Sequence, residues 1–87
     1  MYIYLGGNAV IKDKEIIGIF DIDNTTVSKK TRDFLNHEEK RGNVSYNYSE
    51  YDIPKTFLLC KDKKNRCRTI FTALTVQTLA KRTTENE

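Results

Sequence analysis

Two aspartates placed two residues apart are the first candidates for chemistry in this chain. Asp21 and Asp23 directly follow the apolar stretch 16–20. At the end of a strand, carboxylates at positions i and i+2 can both reach one phosphate group. Two carboxylates placed in this way could take part in phosphoryl transfer.

The rest of the sequence does not supply the other parts of that machinery. Ile19-Phe20-Asp21-Ile22-Asp23-Asn24-Thr25 resembles the first motif of the haloacid dehalogenase superfamily. The resemblance implies a nucleophile at Asp21, an acid or base at Asp23 and a loop that holds magnesium. That machinery also needs a downstream Ser or Thr, a Lys and an acidic pair. Of the later acids only Glu38 and Glu39 are adjacent, and they fall in a predicted helix. We therefore interpret Asp21 and Asp23 as a strand-to-helix turn whose carboxylates favour the helix N-terminus. The chain is predicted not to be an enzyme.

The composition also argues against a metal or cofactor. Cys60, Cys67 and His37 could supply at most three of the four ligands of a structural zinc site, and the cysteines lack the usual close spacing. Gly6-Gly7 lies between two predicted strands and not before a helix, so it does not predict a phosphate-binding loop. We expect two reduced thiols, no metal, no cofactor and no small-molecule substrate.

Positive charge is concentrated near the C-terminal end of the sequence. Residues 55–82 contain eight Lys or Arg against one acid, a net charge of +7, whereas residues 1–54 have a net charge of −2. A segregated cluster of cations is typical of a polyanion-binding site, because each cation that meets a phosphate releases a counterion. The candidate DNA-binding residues are Lys55, Lys63, Lys64, Arg66, Arg68, Lys81 and Arg82. An acidic protein or anionic lipid is the alternative partner for the same charges.

Three closely spaced tyrosines could add base stacking to this site. Tyr46, Tyr48 and Tyr51 lie between the predicted helix and hairpin, and aromatic rings can stack on nucleic-acid bases. The same tyrosines could instead form a half-buried segment or a subunit contact, which is the more common role.

The elements that must position these residues follow from periodicity and turn signals. Alternating side chains and turn residues predict strands at 1–5 and 9–11. The stretch 16–20 is apolar on both faces, which suits a central strand. Asn24, Thr25 or Thr26 should cap a helix that ends at Arg41-Gly42. Its inward face is predicted to consist of Val27, Thr31, Phe34 and Leu35. Residues 43–53 are either a strand or an extended loop.

The C-terminal part of the sequence predicts a hairpin and a helix. Strands at 56–61 and 66–73 flank a turn at 62–65, a register that places Cys60 opposite Cys67 and Leu59 opposite Arg68. Thr75 should cap the last helix, with Leu74 and Leu79 as a hydrophobic staple. Val76, Leu79 and Ala80 are predicted to point inward. The fold class is therefore α+β: a small antiparallel sheet with a hairpin near the C-terminus and two helices.

Length and composition predict one domain, 1–83, followed by a polar tail, 84–87. Hydrophobic residues make up 38% of the 87 residues, a lean core for so short a chain, and small domains often compensate by self-association. The sequence has neither an apolar run of membrane-spanning length nor a signal peptide, so a cytoplasmic location without membrane association is expected.

Several segments together resemble the bacterial extracellular matrix regulator family (RemA and RemB), and the RemB-like branch in particular. The resemblance spans residues 1 to about 83 in matching element order. It is carried by the opening MYIYLG, the strand EIIGIFD at 15–21, the segment IPKT at 53–56 and the closing LTVQTLAKR at 74–82. The RemA branch of this family implies a bacterial, cytoplasmic, ring-forming DNA-binding regulator of biofilm matrix genes.

One departure from the RemA branch bears on the site. That branch has an arginine cluster just before its hairpin, where this chain has Ser49-Glu50-Tyr51-Asp52 and retains only Lys55. DNA binding would then depend on Lys55, the hairpin tip and the last helix. We expect a DNA-binding regulatory protein that controls transcription and acts as an oligomer. The alternative is a non-catalytic interaction module for an acidic partner.

Overall fold

A computed structural model describes residues 2–5, 10–25 and 28–85, with the backbone alone for 24, 25 and 83–85. These residues form six strands, one 3₁₀ turn, two longer helices and one helical turn of four residues. The strands are β1 (Tyr2–Tyr4), β2 (Val10–Lys12), β3 (Ile16–Asp21), β4 (Val44–Asn47), β5 (Thr56–Lys61) and β6 (Cys67–Thr72). The helices are α1 (Ile22–Thr25), α2 (Lys29–Lys40) and α3 (Val76–Glu85), and the 3₁₀ turn is Asp13–Glu15.

The strands form two small sheets, which confirms the predicted α+β class. β1 and β2 make a two-stranded antiparallel sheet, and the larger sheet has the strand order β3-β5-β6-β4. The larger sheet is mixed, because β4 runs parallel to β6 while the other neighbours are antiparallel. The open choice at 43–53 is thereby settled: its first part is a strand, and Asp52 N–H donates to the Ser49 carbonyl in the turn that follows.

The prediction of a central position for strand 16–20 was wrong. β3 lies at the edge of the sheet, with β5 as its hydrogen-bonded neighbour. The register shifts between Ile16 and Gly18, and the side chain of Ile17 in this irregularity is 62% exposed. The strand has apolar residues on both faces because Ile19 packs against the buried core cluster, while Phe20 stacks on Phe57 on the opposite face. Neither contact requires a strand on both sides of β3.

One face of the larger sheet carries the main core. Its buried members are Ile3, Leu5, Ile11, Leu58, Cys60, Ile70 and Leu79. They come from β1 and the residue that follows it, from β2, β5, β6 and from α3. The small sheet and α3 therefore cover this face. Burial of these side chains contributes roughly 1.5–3 kcal/mol each.

The other face carries a row of aromatic rings across all four strands. Phe20 stacks on Phe57 with ring centroids 5.2 Å apart, Phe57 contacts Phe71 at 5.8 Å, and Phe71 stacks on Tyr46 at 5.6 Å. These four residues follow the strand order β3-β5-β6-β4. Side chains of α2 border the Phe20 end of the row, where Thr31 and Phe34 line a small apolar cavity with it.

The start of α2 differs from the sequence prediction, whereas its end agrees. The N-cap is Ser28 and not a residue of 24–26, because the chain first makes the separate helical turn α1. Thr26 and Val27 lie outside the described residues; of the other predicted inward residues, Thr31 and Leu35 are half-buried and Phe34 is 41% exposed. At the other end, Gly42 has φ +75°. The Gly42 and Asn43 N–H groups donate to the Glu39 and Glu38 carbonyls, a Schellman motif.

The last helix begins as predicted. The N–H of Thr78 donates to Thr75 Oγ1 at 3.1 Å, which is an N-cap hydrogen bond. Leu79 is fully buried and Leu74 packs against the same cluster, so the predicted staple residues share one core. The prediction for Ala80 was wrong: it is exposed, because its direction is about 100° around the helix from that of Leu79.

The hairpin forms where predicted, but its register is shifted by one residue. Cys60 lies opposite Arg68, Lys61 opposite Cys67, and Leu59 opposite Thr69. The cause is Asn65, whose φ of 62° is in the left-handed region. A left-handed residue after a tight turn gives a three-residue loop with a bulge, so Asp62 N–H pairs with the Arg66 carbonyl at 3.1 Å. The predicted Cys60–Cys67 pair is therefore wrong, and the two cysteines lie on opposite faces.

No helix in the described ranges is long and apolar enough to cross a membrane.

Candidate nucleic-acid interface

Four of the seven predicted DNA-binding residues lie together at the tip of the β5–β6 hairpin. Lys63 and Lys64 are in the turn, and Arg66 and Arg68 follow it; all four are exposed. Arg68 Nε donates to Ser45 Oγ at 3.1 Å, so this guanidinium is held at the edge between β6 and β4. The hairpin thus presents four cations over a stretch of six residues.

Asp62 organises this tip from within the turn. One carboxylate oxygen accepts from the Lys64 N–H at 2.8 Å and from the Arg66 N–H at 2.9 Å. The other accepts from Arg66 Nε at 3.1 Å. The backbone hydrogen bond from Arg66 is the main reason that the pKa of Asp62 is lowered, with Lys64 and the Arg66 guanidinium adding to it. This single acid builds the loop that displays the cations around it.

Three further lysines, none of them among the predicted DNA-binding residues, lie at the same end of the molecule. Lys12, at the end of β2, lines a cleft with Arg66 and Arg68. Lys14, in the 3₁₀ turn, borders a smaller depression with Lys61 and Lys63. Lys12 and Lys14 are more than forty residues from the tip in sequence. The antiparallel pairing of Ile16 with Cys60 brings them there.

The cleft beside the tip has a volume of about 470 Å³. Its cations are Lys12, Arg66 and Arg68, and its acids are Glu15 and Asp62. Tyr2 and the buried thiol of Cys60 also line it. Burial raises the pKa of Cys60 to about 11, although nearby Arg68 acts in the opposite direction. The thiol is therefore protonated at neutral pH and adds no negative charge to the cleft.

Lys55 does not join the cluster. It precedes β5 at the opposite end of the hairpin, roughly 20 Å from Lys61 by the rise of an extended strand. Its N–H donates to the Thr72 carbonyl at 2.9 Å, and its carbonyl accepts from the Ile22 N–H at 3.0 Å. Its backbone therefore anchors the root of the hairpin.

The last two predicted residues lie on α3. Arg82 Nη1 donates to the Tyr4 carbonyl at 2.6 Å, so its guanidinium sits beside β1. Lys81 is exposed next to it in sequence. This pair belongs to the layer formed by β1, β2 and α3, separate from the hairpin tip.

The tyrosines proposed for stacking are divided by the fold. Tyr46 packs on Phe71 and against Tyr48, with ring centroids 6.2 Å apart in the second pair. Tyr51 is 88% exposed, but it lies in the turn before β5, at the root of the hairpin. Tyr2 and Tyr4 are instead the exposed tyrosines on the small sheet. The alternation of 1–5 was the signal that could have indicated them, since it places both opposite the buried residues Ile3 and Leu5.

Asp21 and Asp23 occupy a helix start. Asp23 N–H donates to Asp21 Oδ1 at 2.9 Å, the bond of an N-cap residue at the beginning of α1. Within the described ranges, no group of three or more His, Cys, Asp or Glu side chains is placed to hold a metal ion. His37 lies exposed on α2, Cys60 is buried and Cys67 is exposed.

Comparison with known proteins adds no assignment: no protein-family model and no curated protein sequence matches this chain.

Proposed function

We propose that this protein is a DNA-binding regulator, and that its main DNA contact is the basic end. The basic end is defined here as the cations gathered at the hairpin tip: Lys12, Lys14, Lys61, Lys63, Lys64, Arg66 and Arg68. The observation that carries the proposal is their convergence from two segments far apart in sequence. A charge run within one segment often reflects only a solvated face, whereas this convergence depends on the fold.

The balance of charge at the basic end favours a polyanion. Seven cations are accompanied by the acids Asp13, Glu15 and Asp62. Asp62 accepts two backbone N–H groups of the turn and forms an ion pair with the Arg66 guanidinium, so its charge is directed at one of the seven cations. Each of the other cations that contacts a phosphate releases a counterion on binding. Lys55 is removed from the predicted contact set, whereas Lys81 and Arg82 remain as an extension along α3.

We also propose that the protein acts as an oligomer in the bacterial cytoplasm, on genes of the biofilm matrix. This part of the proposal is supported by the resemblance of the sequence to the extracellular matrix regulators, and by the lean core. The edge strand β3, with Ile17 62% exposed, offers one surface for self-association. Several basic ends on one assembly would bind one DNA with a higher avidity than a single copy. Light scattering that gives the mass of a monomer at micromolar concentration would contradict this part.

The central experiment is a duplex-DNA titration at low and at moderate salt. We expect the affinity to fall steeply as salt rises. Lys64→Ala and Arg68→Ala should each weaken binding about equally on all sequences, and lower the salt slope by roughly one. Lys55→Ala and Lys29→Ala are matched controls, because they remove exposed cations away from the basic end.

Two outcomes would contradict the proposal. If the controls weaken binding as much as Lys64→Ala and Arg68→Ala, the contact is not at the basic end. If the unmodified protein binds neither duplex nor single-stranded DNA even at low salt, the same cations would instead serve an acidic protein partner, as in the alternative drawn from the sequence.

A further inference from the structure

Tyr2 and Tyr4 form an exposed aromatic surface on the outer side of β1. Their side chains are 57% and 65% exposed, whereas Ile3 and Leu5, which alternate with them, are 1% exposed. Large aromatic rings are normally placed where they bury area. Here the inward residues supply the core contacts of the strand, so the outward rings are available to a partner.

The neighbouring strand extends this surface. Tyr2 lies opposite Lys12 and Tyr4 opposite Val10 in the β1–β2 pair. Lys12 Nζ sits 5.9 Å from the centroid of the Tyr2 ring, within the range of a cation–π contact. Val10 is 44% exposed, so the outer face consists of two rings, one aliphatic side chain and one cation.

The aromatic surface is continuous with the basic end. Tyr2 lines the same cleft as Arg66 and Arg68. At the other side of β1, the guanidinium of Arg82 is bonded to the Tyr4 carbonyl. Cations therefore lie on both sides of β1. This arrangement matches a chain that carries negative charge along its backbone and flat apolar groups along its side.

We propose that this surface, together with the basic end, binds single-stranded DNA, with bases stacked on Tyr2 and Tyr4. Proteins that bind single strands combine a cationic groove with aromatic platforms in this way. The inference rests on the proposed DNA-binding function and specifies the form of DNA that the site takes.

The spacing of the two rings favours a single strand over a duplex. Residues i and i+2 of a strand lie roughly 6.6 Å apart, whereas neighbouring bases along one strand of a duplex are about 3.4 Å apart. The faces of duplex bases are also covered by their neighbours, so only edges are accessible in the grooves. Two rings at the spacing of β1 can therefore stack only on bases that have separated from each other.

The test compares a fluorescently labelled oligothymidylate with a duplex of equal length. We expect Tyr2→Ala and Tyr4→Ala each to weaken binding of the single strand by at least about fivefold, the low end for loss of one stacked base. Tyr4→Phe should retain the affinity, because it keeps the ring. Tyr51→Ala is the matched control, since it removes an exposed tyrosine at the root of the hairpin.

A second readout is the tyrosine fluorescence, which does not depend on a change in affinity. The chain has five tyrosines and no tryptophan, so its intrinsic fluorescence comes from tyrosine. Stacking should quench it when the single strand binds, and the quenching should shrink in Tyr2→Ala but not in Tyr51→Ala.

The outcomes separate this inference from the proposed function. If Arg68→Ala weakens binding of the single strand while Tyr2→Ala and Tyr4→Ala do not, the aromatic platform is wrong and DNA binding stands. Tighter binding of the duplex than of the single strand, or binding of oligouridylate without oligothymidylate, would also overturn it. If neither form of DNA binds, the proposed function fails and this inference fails with it.

Discussion

Thr56 and Thr72 lie opposite each other across β5 and β6, and both side chains are fully buried, yet they differ in hydrogen bonding. The Thr72 hydroxyl donates to the Leu5 carbonyl at 3.2 Å and accepts from the Leu74 N–H at 3.2 Å. Thr56 Oγ1 has no hydrogen-bond partner within the described part of the chain. A buried hydroxyl without a partner costs about 1–3 kcal/mol.

We predict opposite effects of the same substitution at these two positions. Thr56→Val replaces the unpaired hydroxyl by a methyl group of similar size, and should raise the free energy of unfolding by about 1 kcal/mol. Thr72→Val should lower it by about 1–3 kcal/mol, because it leaves the Leu74 N–H unpaired. Urea denaturation measures both, and a loss of stability in Thr56→Val as large as in Thr72→Val would contradict the assignment.

The two cysteines should differ sharply in reactivity. Cys60 is 4% exposed and burial raises its pKa to about 11, whereas Cys67 is exposed. Because thiolates are the reactive species, we predict that one thiol per folded chain reacts with a disulfide reagent at pH 8, and two after denaturation. Cys67→Ser should abolish the reaction of the folded protein and Cys60→Ser should leave it. Rapid reaction of two thiols in the folded protein would show that Cys60 is not protected.

The sequence was sufficient to predict most elements but not their partners. Period-two alternation and turn residues located β1, β2 and the hairpin, because they are local signals. The helix end at Gly42 and the cap at Thr75 were equally local. The parallel pairing of β4 with β6 depends on long-range contacts such as the bond from Thr69 N–H to the Asn43 carbonyl, which no local pattern records.

In the candidate site, too, local sequence predicts some residues and long-range pairing brings in the others. The hairpin cations follow directly from the sequence, since they lie within six residues. Lys12 and Lys14 could be added only by knowing that Ile16 pairs with Cys60. The predicted cysteine register was wrong because of one backbone angle, the left-handed φ of Asn65. Asparagine tolerates this conformation better than most residues, but nothing in the sequence requires it to adopt it.

Gly18 is predicted to be required by the packing of Phe20. A Cβ at position 18 would lie 2.7 Å from Phe20 Cε2 and 2.8 Å from Cζ, closer than atoms pack. In Gly18→Ala the Phe20 ring must therefore shift from its present position, which disturbs its stack on Phe57. We expect a loss of about 1–3 kcal/mol in the free energy of unfolding, as for other overpacked sites. Ile17→Ala, at an exposed neighbour, should change it by less than about 0.5 kcal/mol, and equal losses would argue against the packing explanation.

Asp62 is predicted to support stability and to oppose DNA binding at the same time. Its carboxylate accepts the Lys64 and Arg66 N–H groups that close the turn, so Asp62→Asn should lower the melting temperature. The same change removes a negative charge from the basic end and releases the Arg66 guanidinium from its ion pair, so affinity for DNA should rise. A variant that is less stable but binds more tightly cannot be explained by partial unfolding.

The pH dependence of Asp62→Asn follows from the direction of the pKa shift. The pKa of Asp62 is lowered by folding from its ordinary value of 3.8. Its stabilising contribution is therefore complete above that value and is lost as the pH falls through the lower value of the folded state. The stability difference between the unmodified protein and Asp62→Asn should be largest near neutral pH and shrink below 3.8, as measured by denaturation across pH. Glu15→Gln is the control, because it removes an acid from the same cleft but not from the turn. Glu15→Gln should raise DNA affinity without opening the turn. A stability difference between the unmodified protein and Asp62→Asn that grows on acidification would contradict the role assigned to Asp62.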